Sequence, residues 1–248
     1  MVSLVKKNLK SIAHDVINLE IQALKFLKKS LNKNFEKAVN EIINCKSKII
    51  LCGVGKSGLI ASKIASTMSS VGSPAFSLSA NDCLHGDLGS ISKKDILILI
   101  SNSGKSQELL PIIKFANRNK IKLIGIVSRK DSSLYRGADI RILLPEVKEA
   151  GLDIVPTSST SVQLAIGDAL AIAALNKKKF SKYNYSKLHP AGEIGKQLKT
   201  VEELMVTKKK IPFINENKNI INAIKIITSK KLGVLIAKNS SGLTSGIL

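Results

Sequence analysis

A chain of 248 residues holds one full core with some length to spare, and 44% hydrophobic residues with a mean hydropathy of +0.12 exclude a disordered polymer. The net charge of +21 invites a nucleic-acid reading, but lysine is scattered over every segment, arginine occurs only at Arg118, Arg129, Arg136 and Arg141, and aromatic residues make up 4%. Little is left for base readout or stacking, so no nucleic-acid partner is expected.

From Leu4 to about Cys45 apolar residues recur at helical spacing (Ile12, Val16, Leu19, Ala23, Phe26, Leu27, Leu31, Phe35, Val39, Ile42), with a break near Asn32-Lys33-Asn34. The pattern predicts one long helix or two in sequence. Short apolar runs then alternate with helical segments: strands at 48–52, 74–78, 95–100, 122–127 and 139–143, and helices at 57–71, 106–117 and 160–175. This alternation predicts an α/β fold, a doubly wound parallel sheet flanked by helices. In such sheets ligands bind beyond the carboxyl ends of the strands, which directs attention to the loops after Cys52, Leu78, Ile100 and Leu143. After about Leu198 the register changes, and Val201–Met205, Ile211–Ile214, a helix over 219–231 and Gly233–Ile236 read as the opening of a second, small domain. The resulting division is a helical segment over 1–45, the α/β domain over 46–198 and the small domain over 199–248. No apolar run approaches the ~20 residues of a membrane span, and the N-terminus lacks a signal peptide's uninterrupted apolar stretch. A cytoplasmic protein with no membrane partner is expected. Cys45, Cys52 and Cys83 are odd in number and lack metal-ligand spacing, so neither a disulfide framework nor a metal site is expected.

Gly53-Val-Gly55-Lys56-Ser57-Gly58 follows a strand and opens a helix, as a dinucleotide fingerprint does. The second strand, however, ends Phe76-Ser-Leu-Ser with no acid for a ribose. The P-loop reading of Gly55-Lys56-Ser57 fails because Ile50 stands where a glycine is required. No nucleotide cofactor is expected. What survives is the shared physics: a glycine loop at a helix N-terminus offers N–H groups and partial positive charge to an anion, with Lys56 and Ser57 adding a charge and a hydroxyl. Two further polar loops precede helices, Ser101-Asn102-Ser103-Gly104-Lys105-Ser106 and Thr157-Ser158-Ser159-Thr160. Hydroxyls and N–H groups converging at helix starts suit a phosphate monoester without a metal. Helix capping accounts for one serine per helix, worth ~1 kcal/mol, and leaves most of Ser101, Ser103 and Ser106 over.

The strand-Ser101-Asn-Ser-Gly-Lys-Ser106-helix arrangement resembles the phosphosugar-binding SIS domain. Gly53–Gly58, His85-Gly-Asp-Leu-Gly89, Ile100–Gly104, Pro156–Thr160, Gly167-Asp-Ala-Leu170 and His189-Pro-Ala-Gly192 occur in the order seen in arabinose 5-phosphate isomerases. The resemblance covers about residues 5–205. It implies an aldose–ketose isomerase interconverting ribulose 5-phosphate and arabinose 5-phosphate through an enediolate, with no cofactor. Such a reaction needs a base, an electrophile and a phosphate anchor.

By position alone Glu108, in the helix start after the serine loop, and Glu149, in the loop after the last strand, are candidate bases. The family match adds Lys56 and His189. Its implied roles are proton transfer by Glu149 or His189, charge stabilisation by Lys56, orientation of sugar hydroxyls by Glu108, and assistance to ring opening by His85. Gly55, Ser57, Ser101, Asn102, Ser103, Ser106, Thr157, Ser158 and Ser159 are the expected phosphate ligands. Lys105 stands where relatives often carry glutamate, and Ala191 where glycine is frequent. The resemblance further implies a homo-oligomer, a tetramer, with His85 or His189 reaching a neighbour's site. It also implies a product feeding the eight-carbon acid sugar of lipopolysaccharide, and a partial CBS module beginning at Val201. Alternatives are a non-catalytic sugar-phosphate sensor and an isomerase for another sugar phosphate.

Overall fold

In the computed structural model the chain divides into two compact units, Met1–Gly192 and Glu193–Leu248; residues 8–189 and 200–248 are described. The first unit opens with α1 (Leu9–Ser30) and α2 (Lys33–Asn44). Two helices form because Asn32 is extended and its side chain accepts the Asn34 N–H at 2.8 Å, starting a new helix where the periodicity breaks.

There follow β1 (Ile49–Gly53), α3 (Lys56–Ser70), β2 (Ala75–Ser79), α4 (Ala80–Cys83), β3 (Ile96–Ile100), α5 (Leu109–Arg118), β4 (Lys122–Val127), α6 (Ser133–Gly137), β5 (Ile140–Leu143), α7 (Gly151–Ile154, a single turn with left-handed backbone at Leu152 and Asp153), α8 (Ser158–Lys177) and α9 (Lys182–Leu188). The five strands form one parallel sheet in the order β2-β1-β3-β4-β5. In this unit every strand expected from the sequence is present within about a residue. The helix expected from Ser106 begins instead at Leu109, because 106–108 form a turn in which the Leu109 N–H reaches the Ser106 carbonyl. The short helices α4, α6, α7 and α9 were not expected, since none is long enough to display an apolar period.

The continuous apolar runs of β1 and β3 are buried on both faces. Alternation sends Ile49, Leu51, Ile96, Ile98, Ile100, Ile124 and Ile126 into a core shared with α1, α2, α3 and α8. Ile50, Cys52, Leu97, Leu99, Leu123 and Val127 enter a second core shared with α4, α5 and α6. α8 corrects the expectation about span length: by length and composition it is apolar enough to cross a membrane. Half of it is buried within the fold, where it packs on α1, α2 and α3 as a core helix.

In the second unit β6 (Phe213–Asn215) runs parallel to β7 (Ile236–Lys238), and β7 antiparallel to β8 (Thr244–Ile247). α10 (Val201–Leu204) precedes them and α11 (Ile220–Lys230) lies between β6 and β7. α11 starts on Asn219, whose side chain accepts the Asn222 N–H. The apolar segment Gly233–Ile236 leads into β7, which begins at its last residue.

Candidate active site

The strand order reverses direction between β1 and β3, since β2 lies on one side of β1 and β3 on the other. The loops leaving these neighbours therefore diverge and open a crevice at their carboxyl ends. Two of the three polar loops singled out in the sequence, the glycine loop after β1 and the serine loop after β3, leave from there.

After β1, Gly53 and Gly58 serve strand–helix packing. A Cβ on Gly53 would stand 2.7 Å from the Ser57 backbone, and one on Gly58 would stand 2.8 Å from the Gly53 carbonyl oxygen. Gly55 is exposed and offers no capping side chain to α3, so the start of that helix is left to Lys56 and Ser57. Lys56 is exposed at the first position of α3.

After β3, the serine loop is held by its own hydroxyls. Ser101 is buried; its Oγ accepts the Gly104 N–H at 3.0 Å and lies 3.3 Å from Ser106 Oγ. Ser103 Oγ accepts the Lys105 N–H at 3.2 Å. In these contacts the serine oxygens act as acceptors, so the Ser103 hydrogen and one from the Ser101–Ser106 pair remain to donate to an anion. Asn102 is tied to the end of β4: its carbonyl accepts the Ser128 N–H at 3.1 Å, and the Ser128 hydroxyl lies 2.8 Å from its Oδ1. Lys105 reaches Asp131 at 2.6 Å, and that ammonium holds the Asp131 carboxyl below the usual range. A cavity of about 300 Å³ opens beside the loop, lined by Asn102, Ser103, Lys105, Ser128, Arg129 and Glu146 among others. Arg129 and Glu146 form an ion pair across it at 3.2 Å. Glu108 stands at the N-cap of α5, half-buried and making no capping bond, so its carboxylate is not consumed by the helix.

After β5, the chain places Glu149 against the start of α8. Glu149 Oε2 accepts the Thr157 N–H at 2.9 Å, the Ser159 N–H at 3.2 Å and the Thr157 hydroxyl at 3.2 Å. Burial works against this charge, but the donors of Ser159 and Thr157 outweigh it and hold the Glu149 carboxyl below the ordinary glutamate range. Thr157 and Ser159, expected as phosphate ligands, thus direct their donors to an internal carboxylate. The Ser158 hydroxyl is buried and has no hydrogen-bond partner in the described residues.

The structure therefore brings Lys56, Ser57, the serine loop, Glu108, Glu149 and Thr157–Ser159 to the carboxyl end of the sheet. His85 follows β2 and α4 on an exposed turn. His189 is elsewhere. It ends α9, with its ring stacked on Tyr185 at 4.0 Å between centroids and Nδ1 2.9 Å from the Tyr185 carbonyl oxygen. The adjacent Leu188 lines a cavity with Lys48, Gly72, Pro74 and Ala75, at the amino ends of β1 and β2. Within one chain, then, His189 and Glu149 stand at opposite ends of the sheet. Pro190, Ala191 and Gly192 of its motif lie outside the described residues. Two participants escaped the sequence reading. Ser128 follows β4 as Ser101 follows β3, so the strand-end rule would have found it; Asp153, which accepts the Glu149 N–H at 2.6 Å, carries no sequence signal.

A family model for the SIS domain matches residues 41–173. Arabinose 5-phosphate isomerase KdsD of Francisella tularensis is 41% identical over 235 residues, covering 92% of this chain and 72% of that protein. The protein of the same name from Escherichia coli K12 is 36% identical over 235 residues, covering 94% and 72%. Among solved structures, a protein of Escherichia coli CFT073 in complex with arabinose 5-phosphate superposes with a TM-score of 0.68 at 33% identity, covering 74% of this chain and all of that one. With the serine loop at the β1/β3 crevice and a similarity that runs nearly the whole chain, the chain belongs to the arabinose 5-phosphate isomerase family of SIS-domain proteins.

Proposed function

We propose that this protein is an aldose–ketose isomerase that interconverts D-ribulose 5-phosphate and D-arabinose 5-phosphate through an enediolate. The observation that carries the reading is the serine loop at the crevice between β1 and β3, in a chain whose relatives bear that activity in their names. The spare hydroxyl hydrogens of Ser103 and of the Ser101–Ser106 pair, with the start of α3 at Gly55, Lys56 and Ser57, suit a phosphate dianion. Lys56 is suited to the charge that develops on the enediolate oxygen, and Glu108 to the sugar hydroxyls. Glu149, kept ionised by its hydrogen bonds, is always ready to accept a proton but is a weak base for that same reason. This favours His189, whose imidazole has one nitrogen to accept a proton and one to donate, as the group that carries the proton between carbons. Because His189 lies at the far end of the sheet from Glu149, the reading requires a second copy of the chain to supply it, and we assign a homo-oligomer of the tetrameric kind. Asn102, Ser158 and His85 complete the proposed site, the last assisting ring opening.

The setting is cytoplasmic, in keeping with three free cysteines, and the product feeds the eight-carbon acid sugar of lipopolysaccharide. The unit from 199 to 248 is read as the first part of a CBS module, supported by its strand-helix-strand-strand order.

The test is a coupled assay with ribulose 5-phosphate that scores arabinose 5-phosphate against other aldose phosphates. Selective formation of arabinose 5-phosphate, reduced ~10²-fold or more by Glu149→Gln and by His189→Ala, is expected. Phosphosugar binding without turnover would replace this reading with a sensor, and a different product would reassign the sugar.

A further inference from the structure

The segment between Glu149 and α8 has an unusual build. Gly151, Leu152 and Asp153 take positive φ in succession, 59°, 62° and 62°, and for Leu152 this costs about 1–2 kcal/mol, less for Asp153, whose short polar side chain tolerates the left-handed region. Leu152 projects into solvent with 93% of its surface exposed, so burial of its side chain does not repay the strain. What the turn does achieve is closure. Ala150 and Val155 form an isolated antiparallel bridge, the Val155 N–H reaching the Ala150 carbonyl at 3.3 Å. Asp153 Oδ1 then accepts the Glu149 N–H at 2.6 Å, and Thr157 Oγ1 accepts the Ala150 N–H at 3.0 Å while lying 3.2 Å from Glu149 Oε2. Asp153 thus holds the backbone N–H of Glu149, and Thr157 its carboxylate.

We propose that Asp153 and Thr157 are positioning residues that act through Glu149: the strained turn exists to present the Glu149 carboxylate in one orientation to the substrate. Thr157 is thereby reassigned from phosphate ligand to holder of the carboxylate. The inference rests on the reading of Glu149 as a residue of the active site.

Three charged residues lie near Glu149 in the chain. Asp153 binds its N–H, Lys148 precedes it in the chain, and Glu146 of the same loop is paired with Arg129. The first turn of α8 contributes Thr157, Ser158 and Ser159, none of which titrates near neutrality. Hydrogen bonds from Ser159 and Thr157 favour the ionised form; the Thr157 hydroxyl, 3.2 Å from Glu149 Oε2 and equally from the Val155 carbonyl oxygen, adds to them, so removing it raises the pH at which Glu149 gains its proton. If turnover needs the ionised carboxylate, the acid limb of the rate profile moves to higher pH with it.

The experiment compares Thr157→Val with Thr157→Ser, and Asp153→Ala with Asp153→Asn, in the full chain. Two readouts are taken: the pH dependence of kcat/KM with ribulose 5-phosphate, and a carbon-detected NMR titration of the Glu149 carboxyl. In Thr157→Val the Glu149 titration and the acid limb both move upward, and kcat/KM at the acidic end falls about tenfold, as expected for one hydrogen bond to a charged group. Thr157→Ser, which keeps the hydroxyl, behaves as the parent. Asp153→Ala lowers kcat with little change in KM, and Asp153→Asn, which keeps Oδ1, restores it. An unmoved Glu149 titration in Thr157→Val overturns the proposal, as does a moved titration with an unmoved acid limb in an active enzyme. If the valine variant does not fold, the Asp153 pair decides: equal loss in Ala and Asn variants overturns it. A Glu149 titration that moves in a chain with no isomerase activity even in the parent would refute the functional reading and leave the anchoring of Glu149 established.

Discussion

Replacing Gly104 by alanine probes the serine loop without touching a hydroxyl. Gly104 has φ +64°, a conformation that costs an L-residue about 1–2 kcal/mol. A Cβ there would overlap the Ser132 hydroxyl and stand 2.5 Å from Val127 Cγ2. Val127 is fully buried at the end of β4 and Ser132 is fully buried at the start of α6, so neither neighbour has room to yield. Overpacking of this kind costs about 1–3 kcal/mol, giving ~2–5 kcal/mol in all, a large share of a typical domain's stability. Urea unfolding followed by circular dichroism reads this directly as a lowered midpoint. The clash is also separable from the strain. Ser132→Ala alone loses a cap to the Tyr135 N–H and costs ~1 kcal/mol, but in the double variant it removes the hydroxyl that the new methyl meets. The double variant is therefore expected to be more stable than the sum of the two single effects predicts. Because the Gly104 N–H also holds Ser101 Oγ, the alanine variant raises KM for the phosphosugar more than it lowers kcat. A stability within about 0.5 kcal/mol of the parent, or strict additivity with Ser132→Ala, would refute the account of this loop.

Two further predictions concern the scaffold. Asp95 is buried where β3 begins; burial opposes its charge, but hydrogen bonds from Ser47, Ser92 and Lys48 bring its carboxyl down from 3.8 to about 2. A depressed folded-state value stabilises above the unfolded value and is lost as pH falls through the folded one. Asp95→Asn should therefore cost about 2 kcal/mol at neutral pH, with the two proteins converging between pH 4 and pH 2; a difference that persists at pH 2 would show that shape, not charge, matters there. For the cysteines, burial pushes the Cys52 thiol up to about 12 and raises Cys83, whereas Cys45 is only half-buried. A thiol-reactive disulfide reagent should thus modify Cys45 in the native protein and the other two only on unfolding; rapid modification of all three would contradict the packing described for β1 and α4.

How far the sequence was legible depended on how local each cause was. β1, β3 and β4 are continuous apolar runs, and burial on both faces demands such runs, so their bounds were readable to within a residue. The serine loop was readable because strand ends are where doubly wound sheets bind ligands. The anchoring of Glu149 was not, since it depends on a left-handed turn through Leu152, a residue type that does not announce that conformation. The short helices were hidden because four to seven residues show no period. His189 was placed with the other candidates by motif alone, although α8 already argued otherwise. A helix of 20 residues that begins at the carboxyl ends of the strands carries the chain about 30 Å toward their amino ends. Whatever follows it starts on the wrong side of a sheet whose strands are only about 17 Å long.

That separation yields a quantitative test of the shared-site reading. If each site takes Glu149 from one chain and His189 from another, the chains with Glu149→Gln and with His189→Ala are each inactive alone, because every site in either homo-oligomer lacks one group. Mixed and reassembled in equal amounts, a site contains an intact Glu149 in half of cases and, independently, an intact His189 in half. About one quarter of the parent's activity should then return, in sites that pair the two intact groups. If both residues came from the same chain, every chain would remain defective and mixing would restore nothing. The restored rate should also saturate with the extent of subunit exchange and reach its maximum at an equal ratio of the two variants. Absence of recovery from a mixture shown by native mass spectrometry to contain hybrids would mean that His189 does not serve a neighbouring site. Proton transfer would then fall to Glu149 and the groups around it at the carboxyl end of the sheet.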